Sequence, residues 1–478
     1  MCLFLPRMMA KHIRRDYDLF EVWGQEPRNK QLENSTMLDL IIKNGNIWTP
    51  SGPKRTDVGV LDGKIVGLGK LDMSAKEVID ADGLDVMPGA IDTQVHFREP
   101  GLEHKENLES GTRSAVMGGI TGVFEMPNTK PGTTTVEAME DKMARAAASS
   151  WSEYAFYVGA AGDNVEQLAV LENLPGVCGV KVFMGSSTGS LLVSDDDTLA
   201  RVLASGRRRV AIHAEDEARL IARKEHALEG DPSTHPVWRD TETAILATKR
   251  ILRLAKEAHR RIHVLHVTTS DEVDLLAEHK DLVTAEVTPQ HLTLHAPDCY
   301  ERLGTHAQMN PPIRENSHRI GLWRGVEEGV FDLLGSDHAP HTLEEKAKTY
   351  PNTPSGMTGV QTILPVMLRH VAEGRMNMER LIDMICTGPA RIFGLVGKGR
   401  IARGFDADFS IIDRKANHKF TRDEVGSRSG WSPFEDEMFP AWPVMTIIRG
   451  NVVMREGKLA DGPAGKSLRF FETEQVKG

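Results

Sequence analysis

Between about residues 89 and 395, short apolar runs alternate with long stretches of helical period, and this alternation constrains the fold more than any other feature of the chain. The runs include 122–126, RVAIHA at 209–214, IHVLHV at 262–267 and FDLLGSD at 331–337. The stretch 241–258 is helical in period: Ala244, Ala247, Ile251, Leu254 and Ala258 share one face, while Glu242, Lys249 and Arg253 lie elsewhere. Strand–helix repetition over roughly 300 residues predicts parallel α/β structure, and a (β/α)₈ barrel of TIM type has about this length.

The flanks read differently. DLIIKNGNIW, VGVLDGKIVGLG with a hairpin turn at Asp62–Gly63, and KEVIDADGLDVMPG predict short strands and tight turns. The same texture returns in DADFSIID (406–413) and VMTIIRGNVVMREGKL (444–459), with a turn at Arg449, Gly450 and Asn451. Two arms, 37–88 and 396–460, are therefore expected to pair into one small composite β domain beside the barrel at 89–395. Residues 1–36 show no sustained periodicity and read as a disordered extension, or as sequence upstream of a start at Met37; residues 461–478 read as a tail.

A net charge of -10 and a pI near 6.0 argue against a nucleic-acid binder, whose affinity rests on Lys and Arg neutralising phosphates. Four cysteines, Cys2, Cys178, Cys299 and Cys386, form no CxxC pair and read as reduced thiols. No apolar run approaches the ~20 residues that span a bilayer. The expectation is a cytoplasmic protein acting on a small molecule, without nucleic-acid or membrane partners.

Ionisable residues recur at the C-terminal ends of the predicted strands: His96, Lys181, His213, His266 and Asp337. That end of a (β/α)₈ barrel is where active sites are built. Taken singly, each residue has a plain structural explanation. A strand-end His is often only hydrogen-bonded, a lone Lys snorkels, and an Asp caps the next helix. Five at successive strand ends are poorly explained by independent accidents. Imidazole and carboxylate are the donors that a borderline-soft divalent cation such as zinc prefers.

The segment PGAIDTQVHFREPG (88–101) resembles the PG-x-ID-x-H-x-H-x-R-x-PG motif of dihydroorotases in the amidohydrolase superfamily. GGITGVFEMPNT (118–129), VTPQHL (287–292), NPPIR (310–314) and SDHAPH (336–341) follow in the family's order, so the likeness runs from about Met37 to Lys458. The resemblance implies a hydrolase of cyclic amides that converts dihydroorotate reversibly to N-carbamoyl-aspartate. It also implies that Lys181 is carboxylated and bridges two zinc ions, with His96 and Asp337 on one and His213 and His266 on the other. Asp337 would then carry the proton between water and the leaving amide nitrogen. Family members are usually homo-oligomers.

Arg98 matches the dihydroorotase arginine that holds the substrate's free carboxylate, a task suited to its planar fork. Asn128 and His341 match the other carboxylate-side contacts, and Asn310 a further substrate-side position. The plainer reading of Arg98 is a salt bridge to Glu99 or Glu103. Hydantoinases, dihydropyrimidinases and allantoinases share the metal chemistry and form the alternative substrate class. The sequence departs from the family at Gln94, where the first His of H-x-H stands, and at Gln290 and Gln361. A neutral amide is a poorer zinc ligand than imidazole, so one ion is expected to be held more weakly than the other, giving one or two per chain. Ligand loss also raises an alternative of another class, an impaired dihydroorotase-like structural partner of aspartate carbamoyltransferase.

Overall fold

The computed structural model describes residues 37–187 and 191–474; the expected extension 1–36 lies outside the described residues. The first arm supplies β1 (Met37–Thr49), β2 (Gly52–Leu61), β3 (Lys64–Gly69), β4 (Ser74–Asp80) and β5 (Asp85–Pro88). Asp62 and Gly63 both have positive φ, 50° and 72°, the backbone of a two-residue hairpin turn between β2 and β3.

Eight strands follow in the middle of the chain: β6 (Ala90–Val95), β7 (Ile120–Glu125), β8 (Glu153–Gly159), β9 (Val177–Phe183), β10 (Val210–His213), β11 (Ile262–Val264), β12 (Val283–Val287) and β13 (Leu333–Leu334). They pair in parallel in sequence order, and a bridge from Val95 to His338 brings the last strand's extension back to the first. This is the expected (β/α)₈ barrel, nearly closed. Its strands are buried along almost their whole length, because helices cover the outside. The helix Thr241–Glu257 shows how. Asp240 caps it by accepting from Thr243 N, and Ala244, Ala247, Ile251 and Leu254 face inward as their spacing predicts. Ala258 sits half-buried at its C-cap.

The second arm adds β14 (Phe409–Asp413), a two-stranded ribbon of β15 (His418–Lys419) and β16 (Met438–Phe439), then β17 (Trp442–Ile448), β18 (Asn451–Arg455) and β19 (Lys458–Leu459). The arms meet where β14 pairs antiparallel with β5, Ile411 opposite Val86. One sheet of nine strands results, in the order β19-β18-β17-β14-β5-β1-β2-β3 with β4 beside β1. Ile42, Ile47, Val58, Val86, Ile411 and Ile447 form its fully buried core. Residues read only as a tail also pack. Leu468 and Phe470 are buried against Phe124, Tyr157 and Phe393, in the same cluster as Ile91 and Ala211 of the barrel strands. No described helix is long and apolar enough to cross a membrane.

A buried charge cluster joins sheet to barrel. Lys398 reaches Glu153 at the start of β8, Asp408 at 2.5 Å and Asp406 at 3.0 Å, and Arg449 bonds Glu153 at 2.6 Å. Removing one partner of such a cluster leaves carboxylates buried without compensation, at about 3–5 kcal/mol. Lys398→Met is therefore expected to lower the denaturant midpoint strongly, by roughly that free energy; an unchanged midpoint would show that the carboxylates rearrange without cost.

Candidate functional site

All five strand-end residues reach one mouth of the barrel. His96 follows β6 directly, His213 is the last residue of β10, His266 lies two residues past β11, and Asp337 three past β13. Lys181 departs from expectation: β9 continues two residues beyond it to Phe183, so its side chain leaves the strand's interior rather than its end. The five line a single cavity of about 340 Å³ together with Gln94, Arg98, Asn128 and Asn310. His341 does not line it and stands one layer behind Arg98.

Two pairs of ligand-type groups face each other in this cavity. His96 Nε2 lies 3.1 Å from Asp337 Oδ1, and His213 Nδ1 lies 3.1 Å from His266 Nε2. Burial pushes the pKa of all three imidazoles down, that of His266 furthest, so they present neutral rings. Burial likewise lowers the Lys181 amine to about 7, against the opposing pull of Asp337 and Glu286. Four buried polar atoms of the lining residues have no hydrogen-bond partner among the described residues: Lys181 Nζ, His266 Nδ1, Gln94 Oε1 and Arg98 Nη1. Orphaned buried polar groups are costly and usually mark a missing partner. The donor types therefore fit a divalent cation, which these residues would hold. No three His, Cys, Asp or Glu side chains among the described residues make a ready site unaided. Each pair supplies only two ligands, and Lys181 lines the same cavity. Gln94 turns its amide nitrogen to Asp337, donating to Oδ1 at 3.0 Å.

Two of the three imidazoles are oriented from behind. His96 Nδ1 donates to Asn128 Oδ1 at 2.7 Å, which leaves Nε2 toward Asp337. His213 Nε2 bonds Glu215 Oε2 at 2.9 Å, and Arg239 Nε bonds the other Glu215 oxygen at 3.0 Å. Burial opposes ionisation of Glu215, yet Arg239 and His213 together hold its carboxyl well below the usual range. Such outer partners fix which ring nitrogen faces a metal. Glu215 was not singled out from the sequence, although its i, i+2 spacing from His213 was a usable signal.

A buried cation lines the same cavity. Arg98 is 1% exposed, its Nε donates to Pro340 O at 3.2 Å, and its Nη1 has no partner among the described residues. Its expected alternative partners are engaged elsewhere: Glu99 and Glu103 face Arg145. Asn310 Oδ1 accepts from His235 Nε2 at 2.9 Å, a second contact the sequence did not suggest. The other departures sit outside the cavity, with Gln290 donating to Ser336 O and Gln361 bonded to Glu424 O and Gly426 N.

Three site residues hold left-handed backbone: Arg98 at φ 67°, His266 at φ 37° and Asp337 at φ 46°. For non-glycine residues this costs of order 1–3 kcal/mol each and persists where the surroundings enforce it, commonly at functional sites.

The profile of the amidohydrolase family matches residues 86–453. A dihydroorotase from Methanothermobacter thermautotrophicus is 35% identical over 89% of this chain and 96% of its own length. An allantoinase from Rubrobacter xylanophilus is also 35% identical, over 92% and 99%. Among solved structures, the L-hydantoinase from Arthrobacter aurescens superposes with a TM-score of 0.86 at 32% identity, covering 91% of this chain and 100% of that one.

Proposed function

Because this chain belongs to the amidohydrolase family, we propose that it hydrolyses a cyclic amide bearing a free carboxylate, dihydroorotate, opening the ring to N-carbamoyl-aspartate. The observation that carries this choice is Arg98: a buried guanidinium with an unpartnered Nη1, lining the same cavity as Asp337. An uncharged substrate would leave that cation unpaired, at a cost of a few kcal/mol. Related activities on hydantoins or allantoin remain the alternative, since relatives carrying those names match about as well.

Arg98 binds the carboxylate bidentately through its Nη nitrogens and sets the ring against the opposite wall. Asn310, held by His235 through its amide oxygen, offers its nitrogen to a ring carbonyl. Asp337 takes a proton from the attacking water as its oxygen bonds the amide carbon. It then delivers that proton to the ring nitrogen as the carbon–nitrogen bond breaks. His96, Lys181, His213, His266 and Asp337 would hold zinc, which when bound polarises the scissile carbonyl and acidifies water. Lys181 would do so as a carbamate: its neutral amine adds to CO₂, forming the N–C bond and releasing one proton to solvent. Burial, which brings that amine's pKa down to about 7 and so gives it a large neutral fraction near neutral pH, supports this reading. A carbamate replaces a repelling ammonium with two anionic oxygens among the ligands. Retention of all five residues in one cavity favours an enzyme over a non-catalytic partner of aspartate carbamoyltransferase.

Gln94 supports unequal metal sites, because it offers Asp337 an N–H where the family has an imidazole lone pair. Purified protein is expected to carry closer to one tightly held zinc than two. Gln94→His should add the second and raise turnover by about 10-fold or more, since even outer-sphere changes cost about 10–100-fold. Metal analysis of both proteins, alongside dihydroorotate turnover, checks this. Two equally tight sites in the unaltered protein would make Gln94 a competent ligand.

A further inference from the structure

We propose that Lys105 is a specificity-determining positioning residue: by donating to His341 Nδ1 it keeps both terminal nitrogens of Arg98 available to an anionic substrate group. The inference deepens the reading of Arg98 given above and rests on it.

Lys105 precedes the helix Leu108–Met117, and its side chain is only 11% exposed. Its ammonium lies 2.9 Å from Glu345 Oε1 and 3.2 Å from His341 Nδ1. His341 is fully buried, and its other nitrogen, Nε2, faces Ser355 O at 3.0 Å and Arg98 Nη2 at 3.3 Å. The ring is thus set between two cations, both of which can only donate. Burial keeps it neutral, with Arg98 and Lys105 opposing the pull of Glu345. A neutral imidazole has one accepting and one donating nitrogen. It can accept from Lys105 or from Arg98, but not from both.

The carbonyl of Ser355 decides between the two. It can only accept, so Nε2 bonds it only when Nε2 carries the proton; Nδ1 is then the acceptor and takes the Lys105 hydrogen. The ring's two closest contacts are satisfied this way, to Ser355 O and to Lys105; the longer ones are not, since Arg98 Nη2 at 3.3 Å meets a donor and is not consumed, and Glu345 Oε2 at 3.5 Å meets an acceptor. Arg98 is then fixed at its base by Nε to Pro340 O, while Nη2 and the unpartnered Nη1 are left for a planar anion. Without Lys105 the balance reverses. Glu345 Oε2, 3.5 Å from Nδ1, would draw the ring proton there, and Nε2 would accept from Arg98 Nη2. One prong of the fork would be lost to the protein itself.

Lys105→Met and Lys105→Arg test this, with KM and kcat measured for dihydroorotate and for neutral dihydrouracil. Loss of one charge-assisted hydrogen bond is expected to raise KM for dihydroorotate about tenfold in Lys105→Met. kcat should move less than KM, KM for dihydrouracil should hardly change, and Lys105→Arg should restore most of the loss. In ¹⁵N-histidine spectra, with His341→Gln used to assign the signal, His341 should pass from the Nε2–H to the Nδ1–H tautomer in Lys105→Met. An unchanged tautomer overturns the proposal, and so does an equal rise of KM on both substrates. If Arg98→Met fails to separate the two substrates, the carboxylate reading falls; the tautomer measurement still decides the role of Lys105.

Discussion

Lys181→Ala is expected to lower kcat/KM for cyclic-amide hydrolysis on the order of 10³-fold or more and to strip bound zinc from the purified protein. The size follows from what is lost together. Each of the two pairs, His96 with Asp337 and His213 with His266, offers two ligands, and no three His, Cys, Asp or Glu groups among the described residues converge alone. Without an anion at position 181 both pairs are left incomplete, and several kcal/mol of transition-state stabilisation go with the metal. The variant should fold, because truncation removes a buried amine with no hydrogen-bond partner among the described residues. Short carboxylic acids, which fit the space and restore two oxygens, should recover part of both metal content and rate. Zinc analysis with and without added formate or propionate measures this. An alanine variant that keeps its metal and its rate would remove Lys181 from the site altogether.

Much of this architecture was legible because its signals are periodic. Strand–helix alternation needs no tertiary information, and the β-rich arms announced themselves by turn residues such as Asp62–Gly63. The five ionisable residues were legible for a related reason, since the barrel's topology sends successive strand ends to one mouth. What the sequence hid depends on side-chain direction and on layers behind the cavity. Lys181 could not be placed within β9 rather than at its end, because an apolar run does not mark where pairing stops. His341 was expected at the substrate and stands behind Arg98, because proximity along SDHAPH does not reveal which way a loop residue turns. Arg239, His235 and Lys105 escaped notice because their importance lies in which atom of Glu215, Asn310 or His341 they address, and that is decided by distances of about 3 Å between residues well apart in sequence.

Arg98→Met is expected to cut kcat/KM for dihydroorotate by about 10²–10³-fold while changing that for dihydrouracil by less than about threefold. Truncating one member of a buried, hydrogen-bonded charge pair costs about 2–5 kcal/mol, much of it the penalty for leaving the other charge unpaired. Here the unpaired charge would be the substrate's carboxylate, brought into a cavity from which the guanidinium that compensates it has been removed. Methionine keeps most of the volume, so the loss should track charge rather than shape. Arg98 also has a backbone role: its φ of 67° and its bond to Pro340 O place it where the chain turns from β6. A purely structural role would therefore depress both substrates together. The difference between the two ratios isolates recognition from folding, which neither ratio does alone. Losses of equal size on dihydroorotate and dihydrouracil would move the assignment to an amidase of uncharged rings, of hydantoinase type, and Arg98 would then be a scaffold for the loop that carries it.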